Sequence, residues 1–363
     1  MQVITFLQDS YFLGAFIIVL FSFLVSYKLY PVIIYLCYIK KLSKLPEKRS
    51  SHIFKTPTLG GIGIFFGFAL TLSFIGSILV KYMVIKTLLD LMAALLILFF
   101  TGIKDDLLVI SPLNKLASQL LAASVVIIFS DIRISSFDGI LGIYELPYVV
   151  SISFTFFVFI LVINAYNLID GIDGLAGTVA LIIFIFFGFY FLINQQFRQV
   201  LVSFSLIGSL IAFLKFNVSR TRKIFMGDTG TMVIGFIIIY QSVRFLTVNR
   251  TLGIPFSLSN GPVFILALLS LPVTDTLRVF IIRIRNGKNP FKPDRNHLHH
   301  YFLDSGFTHI KSTIVIACLF LTVIISAFLL QSLNINIGLV LIALISFILY
   351  IPITLRKRIY NLN

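Results

Sequence analysis

The chain has 363 residues and a formal net charge of +15, with 58% hydrophobic and only 12% charged residues. Ordinary soluble domains carry about 25% charged residues, so this composition excludes a water-soluble globule and predicts a protein whose main solvent is a lipid bilayer. The basic residues are spread over several loops, which favours anionic lipid and a phosphorylated substrate as partners, and no nucleic acid. Both cysteines, Cys37 and Cys318, lie within apolar runs, so neither a disulfide framework nor a zinc site is expected.

Apolar runs long enough to cross a bilayer recur along the whole chain. A spanning helix needs about 20 mostly apolar residues, and about eleven runs approach that length. We therefore predict an all-α polytopic membrane protein with about eleven transmembrane helices, folded as a single domain over residues 1–363. The predicted spans are 11–39, 59–80, 88–103, 114–130, 148–166, 175–193, 199–216, 229–247, 261–282, 312–331 and 336–355.

The distribution of basic residues predicts the orientation. If the spans alternate in direction, most of the 29 lysines and arginines fall on one side of the membrane, which the positive-inside bias assigns to the cytoplasm. The amino terminus is then outside and the carboxyl terminus inside. The predicted cytoplasmic site loops are 40–58, 104–113, 167–174, 217–228 and 283–311, and the tail residues Arg356, Lys357 and Arg358 lie on the same side. On the outside, residues 131–147 predict a small β-hairpin that turns at Asp138-Gly139.

The acidic residues give the best indication of function. Only 14 are present, and six aspartates stand where apolar runs end, all on the predicted cytoplasmic side. An ionised carboxylate beside hydrocarbon is costly, so such a cluster indicates a bound cation or proton transfer. The six are Asp105, Asp106, Asp170, Asp173, Asp228 and Asp275.

Two acidic pairs suggest a shared site. Asp105 and Asp106 are adjacent and should repel unless a cation, a proton or a lysine such as Lys115 intervenes, although a solvated helix end would also explain them. Asp170 and Asp173 would share one face if their segment is helical, and a plain Asp-Gly turn is the alternative.

The remaining two aspartates have structural explanations as well. Asp228 opens the eighth span, where it can act as the helix N-cap and still direct an oxygen at a cation. Asp275 precedes Arg278 and Arg283, which favours an ion-paired, supporting role.

Three histidines, His297, His299 and His300, fall within four residues of the longest basic loop. A surface cluster without function is one interpretation. Imidazoles among basic residues suit phosphate oxygens better than zinc, since no cysteine is near. Carboxylate oxygens together with these groups favour magnesium bound to a diphosphate, a combination typical of phosphoryl transfer.

In combination, these motifs resemble the polyprenyl-phosphate N-acetylhexosamine-1-phosphate transferases of glycosyltransferase family 4, which include the WecA and TagO type and the related enzyme MraY. The matching segments occur in the family's order between residues 49 and 300. They are Thr56 to Gly61, Asp105-Asp106, Asn164 to Gly177, Phe225 to Gly230, and His297 to His300.

The resemblance implies a cytoplasmic active site in a bacterial inner membrane. It implies transfer of a sugar 1-phosphate from a UDP-N-acetylhexosamine to undecaprenyl phosphate, with release of UMP and with Mg²⁺ or alternatively Mn²⁺ as cofactor. The expected partners also include a second copy of the chain, in a homodimer. By this resemblance, Asp170 and Asp228 correspond to metal ligands, and Asp105, Asp106 and Lys115 correspond to the catalytic group at the lipid phosphate. Asn167, Asp173 and Asn217 correspond to residues on the nucleotide side. His297, His299 and His300 correspond to the diphosphate-binding motif.

The subgroup can be predicted too. His-Leu-His-His and Ile169 resemble the WecA or TagO type, which uses UDP-N-acetylglucosamine or a related sugar to start a cell-surface polysaccharide. One departure is Arg220-Thr221-Arg222, which replaces the usual Pro-Ala before Lys223. An MraY-like transferase, an ion-coupled transporter and a covalent aspartyl mechanism remain as alternatives.

Overall fold

Long apolar runs form the helices of this protein. The computed structural model describes residues 11–44, 56–79, 85–289 and 296–350. Its helices are α1 (Tyr11–Ile39), α2 (Gly60–Leu79), α3 (Ile85–Leu108), α4 (Pro112–Ser124, continued by a π-helical turn Val125–Phe129), α5 (Tyr148–Leu168), α6 (Leu175–Ile193), α7 (Phe197–Asn217), α8 (Gly227–Asn249), α9 (Gly261–Leu268), α10 (Ser270–Arg285), α11 (Leu298–Asp304), α12 (His309–Leu329) and α13 (Ile335–Tyr350). Its strands are β1 (Ser43–Lys44), β2 (Thr56–Pro57), β3 (Ser136–Ile140) and β4 (Ile143–Glu145).

The polytopic all-α prediction is confirmed. Among the described residues, nine helices are long and apolar enough to cross a membrane, and the pair α9 and α10, bent by 66°, makes a tenth if it counts as one span. Helix α13 is apolar but has only 16 described residues, and the end of the predicted span 336–355 lies outside the described residues.

The boundary of the third predicted span, 88–103, was wrong in a way that matters for function. Helix α3 continues to Leu108, so Asp105 and Asp106 lie in its last turn and not in a loop. There, Asp105 accepts a hydrogen bond from Lys115 and Asp106 accepts one from the amide of Asp228. These bonds offset the free-energy cost of placing two carboxylates in a helix beside hydrocarbon.

Helix α8 is the centre of the bundle. It is apolar around its whole circumference, and its residues from Thr229 to Val243 are all buried, as expected for a helix surrounded by other helices. It packs against α2, α3, α5 and α6. A Cβ added to Gly102 of α3 would lie 2.4 Å from Cα of Thr229, so only glycine lets α3 approach the start of α8 this closely.

The segment before α2 fixes the entry into α8. The amide of Phe225 donates to Pro57 O at 2.8 Å, and the amides of Gly60 and Gly61 donate to Phe225 O and Met226 O, each at 2.8 Å. The Thr56 to Gly61 motif therefore holds the backbone that precedes Asp228.

The hairpin predicted within residues 131–147 is present, but its turn is not where the sequence suggested. Strands β3 and β4 pair antiparallel with Ile140 opposite Ile143, so the turn is Leu141-Gly142. Asp138 lies within β3, where its carboxylate accepts a hydrogen bond from Arg250 Nε at 2.5 Å.

Parts of three predicted features lie outside the described residues. These are most of the loop 40–58, the residues Pro293, Asp294 and Arg295 before the histidines, and the tail residues Arg356, Lys357 and Arg358.

Candidate active site

Asp106 organises the start of the central helix. Its Oδ1 accepts from the amide of Asp228 at 3.0 Å, and its Oδ2 accepts from the amide and the hydroxyl of Thr229 at 2.9 and 2.7 Å. A carboxylate at this position satisfies amides that have no partner within the helix and lies at the positive end of the helix dipole. The N-cap interpretation of Asp228 was therefore wrong: the helix begins at Gly227, and Asp106 from α3 supplies the capping oxygens.

Lys115 joins two aspartates that are 123 residues apart in sequence. Its Nζ donates to Asp105 Oδ2 at 3.0 Å and to Asp228 Oδ1. Asp105 Oδ1 also accepts from the amide of Ile110 at 2.9 Å. The two neighbouring acids of α3 thus have separate tasks, because Asp105 faces the lysine and Asp106 faces the helix terminus.

Asn167 is the third polar group at Asp228, after Asp106 and Lys115. Its Nδ2 donates to Asp228 Oδ1 at 2.8 Å and to Thr231 Oγ1 at 2.6 Å. Residue 167 lies in the last turn of α5, so the ends of α3 and α5 and the start of α8 meet at one point.

Asp170 lies in the turn that follows α5, where its carboxylate accepts from the amide of Gly227. Burial, together with the negative charges of Asp228 and Asp106, raises the pKa of Asp170 to about 7. The site therefore has more negative charge at this point than Lys115 offsets, and an added cation would be stabilised there.

Asp173 belongs to a separate group of contacts. Its Oδ2 accepts from Lys223 Nζ at 2.5 Å and lies 3.3 Å from His309 Nδ1, while its carbonyl accepts from Thr313 Oγ1 at 2.7 Å. Burial alone would raise the pKa of Asp173, but the hydrogen bonds from His309 and Lys223 outweigh it and hold the pKa below its usual value. Residues 169–174 form turns, so the turn alternative applies and Asp170 and Asp173 do not share a helix face.

Asn217 fixes the turn next to Asp173. Its Oδ1 accepts from the amide of Gly174 at 2.6 Å, and its Nδ2 donates to Ile224 O at 2.8 Å. Asn217 thereby connects the 169–174 turn to the segment that carries Lys223.

The histidine motif reaches the same end of the bundle. His297 Nδ1 lies 2.9 Å from Asp275 Oδ2, and Asp275 Oδ1 accepts from the amide of Leu298 at 2.9 Å and from Arg278 at 2.7 Å. The supporting role expected of Asp275 fits this geometry, because the buried carboxylate holds the start of α11 and orients one imidazole.

His299 connects the motif to the aspartates. A Cβ added to Gly171 would lie 2.0 Å from His299 Nε2, so the imidazole occupies the space beside the turn that carries Asp170. Burial, followed by the neighbouring His300, lowers the pKa of His299 well below its usual value. The rings of His299 and His300 are 4.3 Å apart between centroids.

The structure brings together all eleven predicted site residues at one end of the bundle, in two adjoining groups. One group surrounds Asp228. The other comprises Asp173 with Asn217 and, beside the same turn, the histidine motif held by Asp275. Lys223, His309 and Thr231 also take part and were not predicted, because a lysine beside an apolar stretch and an isolated histidine carry no spacing that indicates a partner. The segment Arg220-Thr221-Arg222, which differs from the family's usual Pro-Ala, lies directly before Lys223 and is mostly exposed.

The donor set fits magnesium. No group of three or more His, Cys, Asp or Glu side chains within the described ranges is arranged to enclose a metal ion. Magnesium needs no such cage, because it commonly binds through one or two carboxylates together with waters and substrate phosphates. The carboxylates of Asp170 and Asp228, with the charge excess at Asp170, offer that kind of site.

Comparison with known proteins agrees with this geometry. The family described as glycosyl transferase family 4 matches residues 88–246. A curated undecaprenyl-phosphate alpha-N-acetylglucosaminyl 1-phosphate transferase from Pasteurella multocida is 31% identical over 310 residues, which cover 84% of this chain and 80% of the relative. The chain belongs to glycosyl transferase family 4.

Other relatives of the same name are similar over a comparable length. The Haemophilus influenzae protein is 31% identical over 276 residues, or 75% of this chain and 74% of the relative. The Escherichia coli O157:H7 protein is 27% identical over 277 residues, or 75% of this chain and 71% of the relative. The region matched to family 4 contains every predicted site residue from Asp105 to Asp228, whereas the histidine motif lies beyond it.

Proposed function

We propose that this protein transfers N-acetylglucosamine 1-phosphate from UDP-N-acetylglucosamine to undecaprenyl phosphate, releases UMP, and so starts the synthesis of a cell-surface polysaccharide. The observation that carries the proposal is the convergence of Asp170 and Asp228 with Lys115 at one end of the helical bundle. The names of the relatives supply undecaprenyl phosphate as the acceptor and N-acetylglucosamine 1-phosphate as the transferred group.

The reaction is an in-line displacement at the β-phosphorus of the nucleotide sugar. A phosphate oxygen of undecaprenyl phosphate forms the new phosphorus–oxygen bond while the bond to the UMP oxygen breaks. The second pKa of a phosphate monoester is about 6, so at pH 7 the attacking group is largely dianionic and needs little help from a base. The protein's task is then to position two anions and offset their charge.

Lys115 is suited to meet the lipid phosphate. It is the cation nearest to the Asp228 carboxylate, and Asp105 holds its ammonium group in place through the 3.0 Å contact. The three hydrogen bonds of Asp106 to the start of α8 favour a positioning role, in which Asp106 fixes Asp228.

Asp170 and Asp228 are the residues that would hold Mg²⁺, with Mn²⁺ as the alternative. When bound there, a divalent cation supplies charge neutralisation of the diphosphate and of the departing UMP. Asn167 keeps the Asp228 carboxylate in position through its 2.8 Å hydrogen bond.

The second group of residues is assigned to the nucleotide sugar. Asn217 and Asp173 shape the turn 169–174 on the nucleotide side, and Asp173 is held by Lys223 and His309. The imidazoles of His297, His299 and His300 are suited to diphosphate oxygens. Because Nδ1 of His297 contacts Asp275, Nε2 is the nitrogen that remains for the substrate.

The site faces the cytoplasm in this proposal. The distribution of lysines and arginines along the sequence supports this orientation, because most of them fall in the loops predicted on the same side as the aspartates, and UDP-sugars are cytoplasmic compounds. The protein is then a multi-pass protein of the bacterial inner membrane.

UMP release by the purified full-length protein tests the proposal. Undecaprenyl phosphate is supplied with UDP-N-acetylglucosamine, UDP-N-acetylgalactosamine or UDP-N-acetylmuramoyl-pentapeptide, each with and without Mg²⁺. We expect the fastest release from UDP-N-acetylglucosamine, only with both the lipid and the metal present. Fastest release from the muramoyl-pentapeptide substrate would assign the MraY-like reaction instead, and no release from any of the three would favour the transporter. Release of UMP without lipid, with label retained on the protein, would indicate the covalent aspartyl route.

A further inference from the structure

A second polar cluster lies at the opposite end of the bundle. Arg244 is about 24 Å further along α8 than Asp228, at 1.5 Å per residue. The hydrocarbon core of a bilayer is about 30 Å thick, so Arg244 lies near its far boundary. Arg198, at the start of α7, and Thr87, at the start of α3, are at the same end. We call Arg198, Gln199, Gln241 and Arg244 the arginine pocket.

The two arginines of this pocket lack an acidic partner. Arg198 donates to Thr87 Oγ1 at 3.3 Å, and the buried Nε of Arg244 has no hydrogen-bond partner among the described residues. The hydrogen bond from Gln241 Nε2 to Gln199 O, at 3.1 Å, brings the start of α7, which carries Arg198, against the part of α8 that carries Arg244. Within the described part of the chain, neither forms an ion pair with a carboxylate. The nearby Asp90 accepts from Ser130 Oγ at 2.6 Å and lies 3.6 Å from Lys86.

The two glutamines of the pocket are buried and only partly satisfied. Gln199 is 1% exposed and Gln241 is fully buried. Gln241 Nε2 donates to Gln199 O at 3.1 Å and to Ser203 Oγ at 3.0 Å. Gln241 Oε1 and both amide atoms of Gln199 find no partner in the described ranges. A buried polar atom without a partner costs about 1–3 kcal/mol, so three such atoms beside two arginines require an explanation.

These groups match one ligand chemistry. Guanidinium groups and a side-chain amide N–H donate to phosphate oxygens, and the free amide oxygens accept from a hydroxyl. A ligand that carries a phosphate and a hydroxyl together would satisfy both. Polar residues at this depth in a membrane protein face such ligands or each other, and here they do not satisfy each other.

We propose that the arginine pocket binds the phosphate headgroup of an anionic membrane lipid at the end of the bundle opposite the aspartates. The headgroup phosphate lies against Arg198 and Arg244, and a headgroup hydroxyl donates to the glutamine oxygens. The proposal is independent of the transferase reaction.

Native mass spectrometry of the delipidated full-length protein tests it with three probes: dioctanoyl-phosphatidylglycerol, dioctanoylglycerol and inorganic phosphate. We expect phosphatidylglycerol to bind most tightly, and Arg198→Gln and Arg244→Gln each to weaken it by at least about tenfold. Arg133→Gln is the matched control, because Arg133 is at the same end but already pairs with Asp131 at 2.6 Å and Ser151 at 3.0 Å. Its phosphatidylglycerol affinity should be unchanged.

Each other outcome contradicts the proposal. Equal affinity in the wild type and the arginine variants would remove the site. If inorganic phosphate binds as tightly as the lipid, the site recognises phosphate and not a lipid. If dioctanoylglycerol binds as tightly as phosphatidylglycerol, the phosphate contributes nothing to binding.

Gln199→Met guards against variants that fail to fold. It keeps the side-chain volume but removes two buried amide atoms without partners, so the thermal midpoint should rise while phosphatidylglycerol affinity falls. A raised midpoint with unchanged affinity would show a purely structural glutamine and would overturn the proposal.

Discussion

Buried charged side chains are compensated to different extents at the two ends of the helical bundle. At the aspartate end, the protein supplies most of the compensation: Lys115 lies between Asp105 and Asp228, and the start of α8 meets Asp106. At the far end, Arg198 and Arg244 have no such counterpart in the described residues. The carboxylates around Asp170 therefore carry more negative charge than their immediate neighbours offset, and the arginine pair carries positive charge with no acidic partner in the described residues.

The comparison shows how a membrane protein can reserve a place for a ligand. A buried charge that is fully compensated by the fold holds helices together, whereas one left with excess charge is costly until a ligand of opposite sign binds. Asp275 belongs to the first kind, because its carboxylate accepts from Arg278 and from the amide of Leu298 and contacts His297. Asp170 and the arginine pair belong to the second.

The largest expected effect is on catalysis, at Asp228. Asp228→Asn removes one of the two charges assigned to the metal but keeps the side-chain size, so the rate of UMP release should fall on the order of a thousandfold. Asp138→Asn is the control, since Asp138 is buried to a similar extent in β3 and pairs with Arg250 at 2.5 Å. A variant Asp228→Asn that retains more than a tenth of the activity would contradict the assignment.

The next effect is on folding, at Gly227. Its φ is +70°, and an added Cβ would lie 1.9 Å from Thr58 O and 2.6 Å from Asp106 Oδ2. Gly227→Ala should therefore lower the free energy of unfolding by about 3 kcal/mol, as seen when strain and crowding combine. Gly142→Ala separates the two causes, because φ is +78° there but no atom lies within 4 Å of the added Cβ. It should cost only about 1 kcal/mol. Similar losses in both variants would show that backbone strain alone decides.

A smaller effect is expected at Asp275, which acts through His297. Asp275→Asn removes the charge that orients the imidazole, so turnover should fall about tenfold. The same substitution in a His297→Ala background should cause little further loss, because the two residues act as one unit. Independent, additive losses would show that Asp275 supports the fold and not the imidazole.

The smallest effect is the pH dependence of stability from Asp173. Its folded pKa lies below the unfolded value of about 4, so its contribution is present above about pH 4 and is lost as the pH falls below that value. Thermal midpoints of the wild type and Asp173→Asn should therefore differ at pH 6 and converge below pH 4. A difference that persists in acid would show that Lys223 and His309 hold Asp173 by hydrogen bonding alone.

Much of the fold and the membership of the site could be predicted from the sequence. Apolar run length is enough to find the spans, because a bilayer demands it, and intramembrane aspartates are rare enough to stand out. Family resemblance then names the two metal candidates among them. The sequence also indicated Lys115 beside the Asp105-Asp106 pair and Arg278 beside Asp275, and both contacts are present. It did not predict the partners of Asp106, Asp170 and Asp173.

The details that were wrong depend on contacts distant in sequence. Asp228 has the right position for an N-cap, but Asp106 supplies the cap because α3 approaches α8 closely at Gly102. Asp170 and Asp173 have helical spacing, but Asn217 and Gly227 hold the segment in turns. Asp138-Gly139 has turn chemistry, but Arg250 binds Asp138 within a strand. In each case a tertiary partner outweighs a local preference.

The most direct test of the account is the thermal stability of the wild type and of Asp170→Asn at pH 8, each with and without Mg²⁺. The folded pKa of Asp170 is raised to about 7 by burial and by Asp228 and Asp106, so its ionised form opposes folding increasingly as the pH rises from about 4 through 7. Without metal, Asp170→Asn should be more stable than the wild type by on the order of 4 kcal/mol, since the pKa is raised from 3.8 to about 7. Added Mg²⁺ should stabilise the wild type and leave Asp170→Asn nearly unchanged. An equal gain in both proteins, or none in either, would contradict a divalent cation held by Asp170 and Asp228.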